Sequence, residues 1–303
     1  DFLKSPTQYV ERPGKTQVVP QPSQHIISVL VVDEIPPGIY VPPDIPQAIM
    51  AMRSLLTHKM PKIDPSYHQM DPQTEAVVDQ NFTLLMKCHA ALRIRESNLY
   101  MSLQLLHNLL QKIDPVDNKE MPRILCGLLF MVQKYEPTDR QVYSAQQIIT
   151  RLFGEKTLIQ PLHIVWYEEY VLSCLDFQVE TVTAYQFVHV FGEAMEFKAE
   201  QMNLLLFLVL TTLQKPAFQQ IHPAKVAAAA CMLVAESFQL KWTQSMTFWS
   251  SFKPNMLQKE RDLVLEQWRG QYQQGIEGKE SFLYQRYKDV RKFAVALRKP
   301  LDT

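Results

Sequence analysis

Two stretches decide the fold of this chain: Leu128-Leu-Phe-Met-Val-Gln-Lys-Tyr-Glu136 and, about thirty residues later, Trp166-Tyr-Glu-Glu-Tyr-Val-Leu-Ser-Cys-Leu-Asp-Phe177. The first stretch is typical of the end of an apolar helix, with one lysine, Lys134, and an aromatic residue after it. The second is typical of a helix that carries a glutamate, Glu168, shortly before a Leu-Asp-Phe stop. Both patterns predict helices, and the first is largely apolar apart from its lysine.

The same helical pattern continues on both sides of these stretches. From Pro72 onward apolar residues recur three and four apart, and prolines mark the breaks between segments. Only 8 of the 303 residues are glycine, which argues against a turn-rich all-β fold. We therefore predict helices at about 73–91, 96–112, 119–135, 141–152, 160–175, 183–194, 198–214, 223–237, 241–250, 254–273 and 279–297.

Two of these helices, 119–135 and 223–237, are apolar nearly all round and should be central, each wrapped by its neighbours. They begin about a hundred residues apart, and the order of the elements around them repeats. This predicts a duplicated five-helix unit. The last helix, near 279–297, interleaves basic residues with an apolar stripe. The pattern allows contact with nucleic acid or an acidic partner, but it favours an amphipathic helix packed on the domain.

The N-terminal quarter differs from the rest, since twelve of the twenty prolines come before Gln73. The run Val29-Leu-Val-Val-Asp-Glu-Ile-Pro-Pro-Gly-Ile-Tyr-Val-Pro-Pro43 is typical of an extended arm, because proline removes backbone donors and disfavours helix before it. Its apolar residues are costly to leave in water. We expect the arm to lie in a groove, on this protein or on a partner, with a short helix at about 46–58.

Taken in order, these motifs resemble the cyclin family over about residues 72–275. Residues 96–110 resemble the second helix of the first cyclin box, and 128–136 resemble the family motif Leu-Leu-Ala-Ser-Lys-Phe/Tyr-Glu-Glu. The stretch into Phe177 resembles the fifth helix, and the small-residue segment 224–233 the third helix of a second box. The resemblance implies an all-α fold of two tandem five-helix domains.

The domain organisation that follows has four parts. An extended proline-rich arm with a short helix covers 1–71, the first cyclin box 72–179, the second cyclin box 180–275, and a C-terminal helix 276–303.

The resemblance also implies a partner, a cyclin-dependent-type serine/threonine protein kinase bound as a heterodimer and activated. Lys134 and Glu168 match the two family residues that contact the kinase. A lysine offers three donors to backbone carbonyls, and a glutamate accepts from backbone amides. Met131, Tyr135 and Phe177 match apolar positions around this pair and are expected to supply the contact surface.

This sequence departs from the family in its first helix, where the family carries an apolar groove for substrate peptides. Gln80 and Asn81 occupy positions where apolar residues are expected, so the resemblance does not extend to that docking function. Glu136 is followed by proline instead of a second acid. One alternative is a non-activating scaffold or structural subunit of a larger assembly that the N-terminal arm contacts. Another is a DNA-binding cyclin-fold protein, which the zero formal net charge disfavours.

The sequence predicts no enzyme, no cofactor and no metal site. With so few glycines there is no loop to cradle a phosphate, and the adjacent pair Cys88-His89 points in diverging directions on a helix. The four cysteines lie far apart in apolar patterns, which indicates buried thiols and a reducing intracellular compartment, nuclear or cytoplasmic. The largely apolar segment 202–213 is too short to cross a membrane.

Overall fold

Regular structure in the computed structural model is helical throughout the residues it describes, which are 55–57, 72–113, 120–135, 142–155 and 157–301. Five helices form a first box and five a second, followed by one short helix. Their bounds are α1 Pro72–Leu92, α2 Glu96–Leu110, α3 Met121–Tyr135, α4 Ala145–Phe153, α5 Pro161–Cys174, α6 Ala184–Ala194, α7 Ala199–Leu213, α8 Pro223–Ser237, α9 Gln244–Ser250, α10 Gln258–Ile276 and α11 Phe282–Tyr287.

The core of the first box forms around α3. This helix is apolar on nearly every side, and all its residues from Ile124 to Leu129 are buried. It packs most extensively against α5, and also against α1 and α2. Local sequence determines where α5 begins and ends: Pro161 lies in its first turn, and left-handed residues follow Cys174. The packing of this helix against α3 forms one rim of the box.

The second box repeats this arrangement around α8. The run Val226-Ala-Ala-Ala-Ala-Cys231 is buried on every side, and the small side chains let α6, α7 and α10 approach closely. Burial raises the pKa of the Cys231 thiol here and of Cys126 in α3, as expected for cysteines that serve as core residues.

The two boxes meet along α2, which packs against α6 and α7. The Tyr100 hydroxyl donates to the carbonyl of Leu206 at 3.2 Å, and the His107 ring nitrogen donates to the carbonyl of Leu213 at 2.7 Å. Both donors lie in the core, where an unpaired polar group would be costly. The hydrogen bonds therefore specify how the boxes align.

The C-terminal segment joins both boxes and centres on Glu96, the first residue of α2. Arg286 Nη2 donates to the Glu96 carboxylate at 3.1 Å, the Tyr287 hydroxyl at 3.2 Å, and Lys292 lies 3.9 Å away. Tyr287 also packs its ring 5.4 Å from that of Phe207 on α7. One short helix thus contacts the first box by charge and the second by an aromatic pair.

The continuous C-terminal helix predicted at 279–297 is wrong. α11 ends at Tyr287, and two short 3-10 turns follow, Val290–Lys292 and Val295–Leu297. The side chain of Asp289 accepts from the backbone amide of Arg291 at 2.8 Å, and Phe293 and Ala294 adopt left-handed backbone angles. Local capping and the contacts with Glu96 outweigh the helical periodicity.

The predicted N-terminal arm lies outside the described residues, apart from a short part of the helix expected at 46–58. Residues 55–57 are helical, and Leu55 and Leu56 pack against the core.

Candidate functional site

The end of α3 is held from two directions before its side chains reach solvent. Gln133 is buried, and its amide donates to the carbonyl of Tyr143 at 2.8 Å and accepts from the Tyr143 backbone amide at 3.0 Å. Asn98 of α2 donates to the carbonyl of Val132 at 3.2 Å. The Asn98 bond satisfies a carbonyl that a helix C-terminus would otherwise leave unpaired, and the Gln133 side chain ties the helix to the backbone of Tyr143, so the last turn of α3 is a fixed platform.

Gly127 lets α5 approach α3 at backbone distance. A Cβ atom at Gly127 would lie 2.6 Å from the carbonyl carbon of Tyr167 and 2.7 Å from the backbone nitrogen of Glu168. No side chain fits there without a shift in the helices. The missing side chain therefore places Glu168 beside the C-terminal half of α3.

This arrangement brings the two predicted polar residues together. Lys134 on α3 and Glu168 on α5 form an ion pair, with the lysine side chain 42% exposed and the glutamate side chain 12% exposed. The lysine ammonium also lies over the Phe130 ring, 4.1 Å from its centroid. The pair sits at the rim of the first box, where the lysine remains open to solvent and to another polypeptide.

The expected apolar contacts around the pair divide into two exposed residues and one buried residue. Tyr135 is 51% exposed and Phe177 is 68% exposed, as a contact surface requires. Met131 is only 3% exposed, so the expectation that it supplies contact surface is wrong. It lies one turn before Lys134, where neighbouring helices already enclose α3, and only the last residues of the helix emerge.

Phe177 is exposed in the turn after α5, where its backbone conformation is unfavourable for a residue with a side chain. After α5, Asp176 and Phe177 both have positive φ, 51° and 57°. The amide of Phe177 donates to the carbonyl of Leu172 at 2.8 Å, and Asp176 pairs with Lys112 at 2.5 Å. A left-handed conformation costs a side-chain-bearing residue about 1–2 kcal/mol, and sites of this kind often serve function instead of stability.

Sequence reasoning missed an exposed apolar stripe on α5, formed by Leu162, Val165, Trp166 and Tyr170. These side chains are between 42% and 52% exposed. Val165 precedes Glu168 by three residues, so the stripe borders the ion pair along the same helix. The signal was present in the sequence, because α5 carries apolar residues on more faces than the buried Ile164 and Val171 need.

A polar network links α5 to the start of α3. The Tyr167 hydroxyl donates to the Glu120 carboxylate, which also accepts from Arg123 at 2.7 Å. The Tyr167 hydrogen bond, with help from Arg123, holds the pKa of Glu120 below its usual 4.5. This network ties the residue before α3 to the residue next to Glu168.

Within the described ranges, no group of three His, Cys, Asp or Glu side chains is placed to hold a metal ion. The described helices also include none that is long and apolar enough to span a bilayer.

Two family models match the chain. The cyclin N-terminal domain matches residues 48–180, and the cyclin C-terminal domain matches residues 182–299. Together they cover most of the 303 residues, and the chain belongs to the cyclin family. The predicted family and the tandem all-α cyclin fold are confirmed.

Curated relatives include B-type cyclins of low identity. The chain is 26% identical over 172 residues to human G2/mitotic-specific cyclin-B2, covering 56% of this chain and 42% of that protein. It is 24% identical over 221 residues to Cyclin-B1-1 of Arabidopsis thaliana, covering 71% and 50%. The chain thus spans half or less of the length of these relatives.

A solved structure has the same fold. A viral cyclin from herpesvirus saimiri superposes with a TM-score of 0.58 at 16% identity, covering 72% of this chain and 94% of the viral one. At that identity the likeness supports the fold alone.

Proposed function

We propose that this chain is a cyclin-type regulatory subunit, without an active site of its own, that binds and activates a cyclin-dependent-type serine/threonine protein kinase. The observation that carries the proposal is the Lys134–Glu168 ion pair at the rim of the first box. Two helices contribute one charge each, and exposed aromatic side chains lie beside them. A surface of this composition suits a second polypeptide better than solvent.

The ion pair has hydrogen-bonding capacity left for a partner. An ammonium has three donors, and Glu168 engages Lys134 through one of its two carboxylate oxygens. Lys134 is expected to donate to backbone carbonyls of the kinase, and Glu168 to accept from backbone amides. Each such charged hydrogen bond is worth about 1.5–3 kcal/mol once solvent is excluded.

The apolar surface on both sides of the pair would exclude that solvent. Tyr135 and Phe177 lie at the ends of α3 and α5, and Trp166 belongs to the exposed stripe on α5. Aromatic residues around a desolvated polar contact are where binding energy concentrates in protein interfaces. We include the α5 stripe in the proposed contact surface because it adjoins Glu168.

The kinase would be activated because this surface holds its helix αC. In kinases the helix αC must lie inward so that its glutamate pairs with the lysine that positions ATP. A rigid partner that fixes this helix shifts the kinase toward its active state. The fixed last turn of α3, clamped through Gln133 and Asn98, provides such rigidity.

The test is to co-express the chain with a panel of such kinases and to measure affinity and substrate phosphorylation for Lys134→Ala and Glu168→Ala. We expect each to weaken the complex at least tenfold, because each removes charged hydrogen bonds. Lys225→Ala is the matched control. Lys225 pairs with Glu260 at 3.1 Å in the second box, with side-chain exposures of 37% and 11% that nearly equal those of the proposed site.

Two results would reject the proposal. If both variants bind as tightly as the Lys225→Ala control, the ion pair does not contact the kinase. If the wild-type complex forms but leaves kinase activity unchanged, the chain is a scaffold and not an activator.

A further inference from the structure

Phe130 lies one helical turn before Lys134 and underneath its ammonium group. The Lys134 nitrogen is 4.1 Å from the centroid of the ring. Residues four apart share a helix face, and side chains on a helix lean toward its N-terminus, so the lysine stem folds back over Phe130. The ring itself is partly buried and packs against the core, so it cannot follow the lysine if the lysine moves.

A lysine is a poor recognition group unless something holds it. Its four-carbon stem is flexible, and ordering it costs up to about 2 kcal/mol of rotamer entropy. Glu168 attracts the ammonium from one side, but an ion pair in which the lysine is 42% exposed restrains it only weakly. A second contact is needed to fix its position.

The aromatic ring supplies this contact without forming a conventional hydrogen bond to the ammonium. The negative face of the ring attracts the cation, and it accepts no conventional hydrogen bond. A second carboxylate would also restrain the lysine, but it would occupy another of the three N–H groups. An aliphatic side chain would pack against the stem without attracting the charge.

We infer that Phe130 is a positioning residue that holds Lys134 in place for the kinase while leaving its outer N–H groups available. The expected effect on kinase binding rests on the proposed function, whereas the contact between the Phe130 ring and Lys134 exists in the chain without a kinase. Phe130 itself does not touch the partner in this account. It acts only through Lys134.

The experiment is a double-mutant cycle on the full chain, with the kinase dissociation constant as the readout. The variants are Phe130→Leu, Phe130→Tyr, Lys134→Met and the double variant Phe130→Leu/Lys134→Met. We expect Phe130→Leu to weaken binding about three- to fivefold and Phe130→Tyr to bind like wild type, since tyrosine keeps the aromatic face. Once Lys134→Met is present, Phe130→Leu should add no further loss.

The cycle separates positioning from packing. If Phe130→Leu weakens binding equally with and without Lys134, or if Phe130→Tyr is as poor as Phe130→Leu, the ring acts by packing alone and the inference is wrong. Phe238→Leu is the matched control, because Phe238 of the second box stacks under Arg298 of the C-terminal segment at 3.7 Å. It should leave kinase affinity unchanged.

A second readout keeps this inference distinct from the proposed function. The same cycle is measured by chemical denaturation of the free chain, where no kinase is present. Coupling between Phe130 and Lys134 should change the folding equilibrium constant about two- to fivefold. If no kinase binds but this coupling is found, the proposed function fails and the positioning contact stands. If the two substitutions are additive in stability, the inference fails whatever the kinase does.

Discussion

The central helices of the two boxes both end in a charged pair, but with opposite polarity. In the first box the cation, Lys134, belongs to the central helix α3, and the anion belongs to α5. In the second box the anion, Glu236, belongs to the central helix α8. Its cation, Arg261, belongs to α10 and donates through Nη2 at 2.6 Å and Nε at 3.1 Å. The repeated fold has therefore kept its packing but not its charges.

The surroundings of the two pairs differ as well. Arg261 is only 17% exposed and also pairs with Asp262 at 2.8 Å, so its guanidinium is largely occupied. The C-terminal segment lies beside this end of α8, with Arg298 donating to the carbonyl of Ser237 at 2.8 Å. Lys134 has neither a second acid nor a cover among the described residues. Of these two pairs at the ends of the central helices, the first leaves its cation 42% exposed and the second leaves its cation only 17% exposed.

Exchanging the two charges of the Lys134–Glu168 pair should have the largest effect, because it gives the first box the charge order of the second. In Lys134→Glu/Glu168→Lys the ion pair can re-form with the polarity of the second box. We expect stability to stay about 0.5–1 kcal/mol below wild type, because the re-formed ion pair no longer places a cation over the Phe130 ring. Kinase affinity should fall at least a hundredfold, since donors and acceptors are exchanged. Denaturation and binding titrations measure the two effects, and a reversed chain that still binds would show that charge order is irrelevant.

Filling the space at Gly127 should have the next largest effect. Gly127→Ala improves helix propensity, but its Cβ meets the backbone of Tyr167 at 2.6 Å. We expect overpacking to dominate and to lower the free energy of unfolding by about 1–3 kcal/mol. Kinase affinity should fall too, because Lys134 and Glu168 separate.

The matched change in the second box is Ala229→Gly, at the same distance from the end of α8 as Gly127 from the end of α3. It should cost about 1 kcal/mol in stability by backbone entropy, with kinase affinity unchanged. Equal losses of affinity in the two variants would mean that α3–α5 spacing does not control the site.

Replacing Phe177 should separate stability from binding. Phe177→Gly relieves a left-handed residue with φ 57°, and we expect the protein to gain about 0.5–1 kcal/mol of stability. Kinase affinity should fall about tenfold with loss of the exposed ring. Gln239→Gly is the control, since Gln239 has φ 56° after α8. It should gain stability alone, and a Phe177→Gly chain that binds normally would remove Phe177 from the interface.

The smallest effect concerns pH. Because the pKa of Glu120 is depressed in the folded chain, its network stabilises the protein above the ordinary carboxyl range and is lost as pH falls through the depressed value. Glu120→Gln should lower stability at neutral pH by roughly 0.5 kcal/mol and leave stability nearly unchanged once the pH lies below the depressed pKa of Glu120. Denaturation midpoints measured across that range test this, and an identical loss at every pH would contradict it.

The helices were predictable where sequence signals are local. α8 begins and ends at the predicted residues, because Pro223 opens it and its apolar run is unbroken. α9 begins at Gln244 instead of 241, because the Thr243 side chain caps it by accepting from the Met246 amide at 2.9 Å. The C-terminal segment failed because its conformation depends on distant partners such as Glu96, which no periodicity reveals.

The site was predictable only in part. The resemblance to a family motif singled out Lys134 and Glu168, and the structure brings them together, but their role in kinase binding stays a prediction. Met131 was misjudged because a match by position does not reveal how deeply neighbouring helices enclose a turn. Phe130 was missed for a related reason. An apolar residue before a lysine reads as ordinary core until the ring and the ammonium are seen in contact.

The contacts made by the residues after α10 have a practical consequence for anyone trimming the protein. A fragment that stops at 275 would contain the five helices of the first box and the five of the second. It would lack Arg286 and Lys292, however, and these two cations neutralise the Glu96 carboxylate. The ring of Tyr287 would also be missing from its place against Phe207. Recombinant boundaries should therefore extend through Leu301, whose carbonyl accepts from Arg269 of α10 at 2.5 Å.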